Sequence, residues 1–231
     1  MDSLQKVSFA GAVLLSSLIT MSCFKAPNEI PRDGWNKDSL GTYASPVAAR
    51  IRRMLAVSIG IFHALVVLGY SDNNSLVCLH PENLNNGLFT WNPYTSVCLF
   101  LIICIGGPLR LTAFAQLGSN FTFKLGPPDT LTTDGMYRYM QHPGYTGQIV
   151  VMVINLSMFL RWDGVVGCLV PRALQSALSG WGLICCSVFT FGILRRLMMR
   201  VKDEEEMLKK TFGDKWVAWN RVTARFIPGI Y

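Results

Sequence analysis

Charge is scarce in this chain. Asp, Glu, Lys and Arg make up 15% of its 231 residues, against 51% apolar residues, where a soluble domain of this length carries about a quarter charged residues. The deficit lies in long uncharged blocks, which speaks against an ordinary soluble domain and predicts membrane spans. Metal-ligand clusters are missing as well. No Cys-x-x-Cys pair occurs among Cys23, Cys78, Cys98, Cys104, Cys168, Cys185 and Cys186, and no His stands near them at ligand spacing. No metal site is expected, and the cysteines read as small buried hydrophobes. There is no glycine-rich dinucleotide fingerprint, which argues against a nicotinamide-dependent reductase. Internal repeats and low-complexity tracts are absent. The net charge of +7 raises nucleic acid as a partner. The basic residues, however, flank apolar blocks instead of lining one soluble face, so they read as cytoplasmic and headgroup flanks, with no nucleic-acid partner expected.

What the chain does have is apolar length. Val7 to Phe24 holds no charge and no Ala-x-Ala cleavage site follows it, so it is expected to be retained as a helix and not cleaved as a signal peptide. Met54 to Tyr70 is a second span. Tyr94 to Phe114 is a third, interrupted by Gly106-Gly107-Pro108 and Arg110, which predicts a kink or an early end near Pro108. Gln148 to Leu194 carries only Arg161, Asp163 and Arg172 as charges and is long enough for a hairpin of two helices, Gln148–Leu160 and Ala177–Leu194. Lys and Arg place these spans. They are frequent between Lys25 and Arg53 and again after Arg195, and absent between Ser71 and Pro93. Five spans with a lumenal N-terminus satisfy that pattern. Asn73-Asn74-Ser75, a glycosylation triplet, falls in the lumenal loop. The expectation is an all-α polytopic membrane protein with about five transmembrane helices, a hairpin at 148–194 and a cytoplasmic C-terminal helix. Lys25 to Ala49 reads as a surface loop.

Two polar clusters border these spans on the expected cytoplasmic side. One runs from Gly135 through Tyr137, Arg138, Gln141, His142, Pro143 and Tyr145 to Gly147. Pro143 is suited to a first helical turn, so a helix starts near Gly144 and offers free backbone N–H groups among aromatic rings. The other runs Arg200-Val201-Lys202-Asp203-Glu204-Glu205-Glu206-Met207-Leu208, with Gly213 as the helix stop. Arg200 with Glu204, and Lys202 with Glu206, share helix faces. A solvated helix with ordinary ion pairs explains the second cluster taken alone, and a helix start with interfacial aromatic anchors explains the first. Together they offer an anion-accepting helix start, aromatic surfaces and carboxylates, which suits a zwitterionic purine-bearing ligand with a positive centre.

The pattern Thr133-x-Gly135-x-Tyr137-Arg138-x-x-x-His142-Pro143-x-Tyr145-x-Gly147, then Arg200-x-x-x-Glu204-Glu205-x-x-Leu208-x-x-x-Phe212-Gly213, resembles the isoprenylcysteine carboxyl methyltransferase family. Arg110-x-x-x-Phe114-x-x-Leu117-Gly118-x-x-Phe121-Thr122 and Val222-x-x-Arg225-Phe226-Ile227-Pro228 are similar to it too. The resemblance implies an S-adenosylmethionine-dependent carboxyl methyltransferase of the endoplasmic reticulum membrane, with its active site facing the cytoplasm and a prenylated cysteine as acceptor. It implies cofactor contacts at Tyr137, Gln141, His142, Pro143, Tyr145, Gly147, Glu204, Glu205 and Leu208, with Arg200 and Glu205 as catalytic residues. It also implies N-terminal helices and loops over 1–115 and a methyltransferase core over 116–231. Two departures stand out: Gln141 replaces the Arg that usually precedes His-Pro, and Trp216 and Trp219 replace tyrosines. The residues leave open a small lipid or terpenoid acid as acceptor, and a non-catalytic membrane adaptor.

Overall fold

The computed structural model describes residues 2–25, 38–69, 78–121, 124–177 and 180–229. Its helices are α1 (Ser3–Cys23), α2 (Pro46–Gly69), α3 (Pro93–Asn120), α4 (Pro143–Met158), the short α5 (Arg172–Ala177), α6 (Trp181–Phe212) and α7 (Asp214–Val222). No strand occurs among the described residues, only an isolated parallel bridge between Met140 and Ala224. Three helices, α1, α2 and α3, are long and apolar enough to cross a membrane. The Asn73 triplet lies outside the described residues.

The third span departs from expectation. Pro108 does not end it, and α3 runs on to Asn120. A π-helical stretch, Leu101–Gly106, precedes an α-helical stretch starting at Gly107. That change of register puts Pro108 in a first helical turn, where its missing N–H costs nothing. The hairpin also differs. Its second arm does not end at Leu194. It continues as α6 through the whole carboxylate cluster to Gly213, whose φ of +53° suits the glycine stop. No break falls between the apolar and charged halves of α6 because good helix formers run through both.

Helices meet where side chains are small, as expected where water does not drive association. A Cβ added at Gly60 of α2 would lie 1.9 Å from Ser17 Oγ of α1, and one at Gly147 of α4 would lie 2.6 Å from the Gly106 carbonyl oxygen of α3. Apolar residues such as Leu18, Leu65 and Phe191 are left on the outer faces.

The bundle has two ends. At one, the N-terminal part of α1, the C-terminal part of α2, the loop before α3 and the turn after α4 pack into the main core, with Phe9, Leu88, Phe89, Met158, Phe159 and Val165 buried. His63 stacks on Phe89 at 4.6 Å between ring centres, with its Nε2 at 3.1 Å from the Leu88 carbonyl. A disulfide joins Cys78 to Cys168 here, which corrects the expectation that every cysteine is a buried hydrophobe. The two partners stand 90 residues apart, and no spacing motif announces them. At the other end, Phe24 after α1, Tyr43 before α2, the end of α3, the start of α4 and the charged half of α6 surround a cavity. There Leu125, Met207, Leu208 and Trp216 form a second, smaller cluster.

Candidate active site

The loop after α3 turns back at Gly135, whose φ is +59°. Met136 N–H donates to Gln116 Oε1 at 3.0 Å, and Trp219 Nε1 donates to the Tyr137 carbonyl at 2.9 Å. Gln141 and His142 then run beside the C-terminal segment. Gln141 N–H donates to Ala224 O at 2.8 Å and His142 N–H to Arg225 O at 3.1 Å. The Gln141 amide nitrogen donates to Thr223 O at 2.8 Å and Asn220 O at 3.3 Å, while its Oε1 is buried without a partner. Gln141 therefore fastens the tail and brings no charge to the site. Pro143 opens α4 after a non-helical His142, as its fixed φ and missing N–H favour.

Across from this helix start, α6 presents its carboxylates on successive faces, and each has a different partner. Glu204 accepts from Tyr145 Oη at 2.8 Å. Glu205 Oε1 lies 3.1 Å from His142 Nε2, and both its oxygens accept from Arg225, at 2.7 and 2.5 Å. Glu206 pairs with Lys210 at 2.9 Å. Burial opposes ionisation of Glu205, but hydrogen bonds from His142 and Arg225 and their charges outweigh it, so its carboxyl is held down at about 2.

Arg200 does not pair directly with Glu204, its expected partner one turn on. Its Nε donates to Tyr145 Oη at 2.8 Å and its Nη1 meets both Asp38 oxygens, at 2.7 and 2.6 Å. Burial works against this charge, but the oxygens of Tyr145, Asp38 and Glu204 more than compensate and raise the guanidinium's pKa. Asp38 also accepts from Leu125 N–H at 3.3 Å, and Ser39 donates to Asp203 through both its N–H and its hydroxyl. The segment after residue 37, expected as a surface loop, thus folds across the site and contributes Leu40, Tyr43 and Ala44 to the cavity wall.

The cavity has a volume of about 590 Å³, within the ordinary range for ligand sites. Of the residues singled out from sequence, Tyr137, Gln141, His142, Tyr145, Arg200, Glu204 and Leu208 line it. Pro143, Gly147 and Glu205 stand behind that wall: Gly147 lets α4 close on α3, and Glu205 secures His142 and Arg225. The sequence reading missed Asp38 and Gln148, and quoted Arg110 only as part of a motif. A buried-position Arg inside an apolar span was the signal available for Arg110. Nothing local marked Asp38.

Residues 97–177 match the family model described as isoprenylcysteine carboxyl methyltransferase (ICMT) family. Over that stretch the chain is similar to the isoprenylcysteine carboxyl methyltransferases. It is 27% identical over 179 residues to a protein-S-isoprenylcysteine O-methyltransferase of Schizosaccharomyces pombe, across 75% of this chain and 66% of that protein. A protein of the same name from Dictyostelium discoideum is 27% identical over 135 residues, across 56% of this chain and 48% of that one. The chain thus spans about two thirds and about half of the lengths of these relatives. The family match covers most of α3, the His-Pro loop, α4 and α5, and stops before the carboxylates of α6.

Proposed function

We propose that the chain is a membrane methyltransferase that uses S-adenosylmethionine to esterify the carboxylate of a prenylated cysteine. One observation carries this reading: a single cavity joins two unlike environments. Near the loops it is walled by His142, Tyr145, Glu204, Leu208 and Trp219. Towards the apolar half of the bundle it is walled by Met152, Val188, Phe189 and Ile193, between α4 and α6. A polar nucleoside and a lipid tail need those two walls. The family match and the two named relatives support the same chemistry.

The residues present fit the cofactor. The unpartnered Gln141 Oε1 offers a buried acceptor for an amino group, Trp219 and Tyr137 offer ring surfaces, and Glu204 brings a carboxylate towards a positive centre. The bound cofactor would supply an electrophilic methyl carbon. Transfer of that methyl to a carboxylate oxygen would form an ester and would leave the electron pair of the broken carbon–sulfur bond on sulfur. No proton moves, so no general base is required, and the chain's task is to orient the two reactants and exclude water. Tyr137, Gln141, His142, Tyr145, Glu204 and Leu208 would hold the cofactor. Arg200, tied to Tyr145 and Asp38, would fix the wall, and Pro143, Gly147 and Glu205 would set its shape from behind.

The order of the helices, whose ends alternate between the disulfide end and the cavity end, supports five crossings, three of them by helices long and apolar enough to span a membrane. The disulfide supports the orientation, because such bonds persist in oxidising compartments. The cavity end then faces the cytoplasm, in keeping with the basic residues around it, and the endoplasmic reticulum is the membrane that fits. At 16 residues, α4 is about 24 Å long, less than the roughly 30 Å of a bilayer's hydrocarbon core. The His142 end therefore sits at or within the membrane boundary, where a lipid-borne carboxylate can reach it.

The test is methyl transfer from radiolabelled S-adenosylmethionine to N-acetyl-farnesylcysteine by purified protein, together with thermal stabilisation by S-adenosylhomocysteine and by NADPH. Transfer, with stabilisation by S-adenosylhomocysteine alone, is expected. Stabilisation by NADPH alone would refute the reading.

A further inference from the structure

We propose that Asp38 is a positioning residue for the cofactor: by holding Arg200 it leaves the charge of Glu204 free to face the cofactor's positive centre, a step that rests on the methyltransferase reading above. Arg200 and Glu204 are four residues apart on α6, the spacing at which opposite charges on a helix pair. In the folded chain they do not. Arg200 Nη1 meets both Asp38 oxygens at 2.7 and 2.6 Å, and its Nε donates to Tyr145 Oη at 2.8 Å. Glu204 accepts from the neutral Tyr145 hydroxyl at 2.8 Å, and among the described residues no cation pairs with it. Its neighbours Glu205 and Glu206 each have one, Arg225 and Lys210. Glu204 also lines the cavity.

Tyr145 keeps the two charges apart. A tyrosine hydroxyl has one hydrogen and acceptor capacity on its oxygen. Arg200 can only donate, so it takes the oxygen. Glu204 can only accept, so it takes the hydrogen. That arrangement holds while the guanidinium is anchored on its far side, and Asp38 is the anchor. Asp38 is itself fixed: its Oδ1 accepts from Leu40 N–H at 3.0 Å and its Oδ2 from Leu125 N–H at 3.3 Å. The adjoining Ser39 donates to Asp203 through its N–H and its hydroxyl. Arg200 and Asp203 stand three apart on α6, so Asp38 and Ser39 grip one face of that helix.

Burial makes the anchor matter. Side-chain exposures are 5% for Arg200 and 14% for Asp38, and a guanidinium so placed is costly without a carboxylate. An Arg200 that loses the Asp38 charge has Glu204 one turn away on its own helix as the next anion. Pairing there neutralises the carboxylate that faces the cavity, and a cationic ligand loses its partner. Asp38 is not among the residues that line the cavity, so it acts through Arg200 and touches neither reactant. The segment between α1 and α2 thereby governs a charge on α6, more than 160 residues further along the chain.

The test uses full-length purified protein in detergent, with S-adenosylmethionine and methylthioadenosine as probes. The second keeps the nucleoside and the sulfur but carries no charge. Wild type is expected to prefer S-adenosylmethionine. Asp38→Asn is expected to cut that preference on the order of tenfold, the worth of one hydrogen bond to a charged group, with affinity for methylthioadenosine unchanged. In turnover, KM for S-adenosylmethionine should rise by a similar factor while KM for N-acetyl-farnesylcysteine stays as in wild type. Asp38→Glu should restore the preference. So should Arg200→Gln added to Asp38→Asn, because no freed cation then remains to pair with Glu204; this double variant also removes both partners of the buried pair, so it keeps the test open if Asp38→Asn alone unfolds. Three results would overturn the assignment: an unchanged preference in Asp38→Asn, a parallel loss of affinity for both probes (which makes Asp38 a brace for the wall), or a double variant with no more preference than Asp38→Asn. If wild type binds neither probe, the methyltransferase reading itself fails. If wild type binds and methylates but Asp38→Asn keeps the preference, only the role of Asp38 is wrong.

Discussion

Glu205 is the carboxylate most tightly held at the site, and replacing it measures how the tail is fastened to the cavity wall. Glu205→Gln removes a charge that two N–H groups of Arg225 meet at 2.7 and 2.5 Å and that lies 3.1 Å from His142 Nε2. Side-chain exposures are 12% for Glu205, 26% for Arg225 and 3% for His142. A fully buried pair broken on one side costs about 3–5 kcal/mol, and an exposed pair about 0.2–1 kcal/mol. With one partner a quarter exposed, the loss should be about 2 kcal/mol, which for a chain of this size lowers Tm by about 4–8 °C. Thermal unfolding in detergent is the assay, run on Glu205→Gln, Arg225→Gln and the double variant. The two single losses should fall short of adding, with a coupling of about 1 kcal/mol. The pH dependence follows from the carboxyl being held at about 2, below the ordinary glutamate value of 4.5. A depressed carboxyl stabilises the fold above its unfolded pKa, and that contribution is lost as pH falls through the folded one. The gap in Tm between wild type and Glu205→Gln should therefore be full above pH 4.5 and close as pH falls towards 2. A Tm for Glu205→Gln within about one degree of wild type at neutral pH would refute the ion-pair account.

Two further outcomes test the scaffold. Gly147→Ala places a methyl 2.6 Å from the Gly106 carbonyl and 2.7 Å from Arg110 N, both backbone atoms. Wedging α3 from α4 should cost about 1–3 kcal/mol, read as lower Tm and weaker S-adenosylhomocysteine binding, and an unchanged Tm would place the two helices further apart. Cys78→Ser should cost about 2–4 kcal/mol by freeing a long loop in the unfolded chain, and should abolish the gel shift on reduction that wild type shows. Identical mobility of reduced and unreduced wild type would rule out the bond.

Much of the fold was legible because membrane burial writes itself into composition. The uncharged blocks located α1, α2 and α3, and the His-Pro pair and Gly213 marked the start of α4 and the end of α6. What stayed hidden depends on register or on distance along the chain. The π-helical stretch that rescues Pro108 has no residue signature of its own. The disulfide joins residues whose spacing carries no motif. Helical spacing put Arg200 on the same face as Glu204, and that much was visible. Its direct partners, Tyr145 and Asp38, come from other elements that only folding brings alongside.

The same contrast bears on the carboxylate run. From sequence, Glu204, Glu205 and Glu206 are three like charges in a row, which invites a bound cation to relieve them. In the folded chain a helix turns about 100° per residue, so the three point at different neighbours and each finds its own: Tyr145, then His142 with Arg225, then Lys210. Repulsion along the helix is answered by protein groups, and no ligand is needed to explain it.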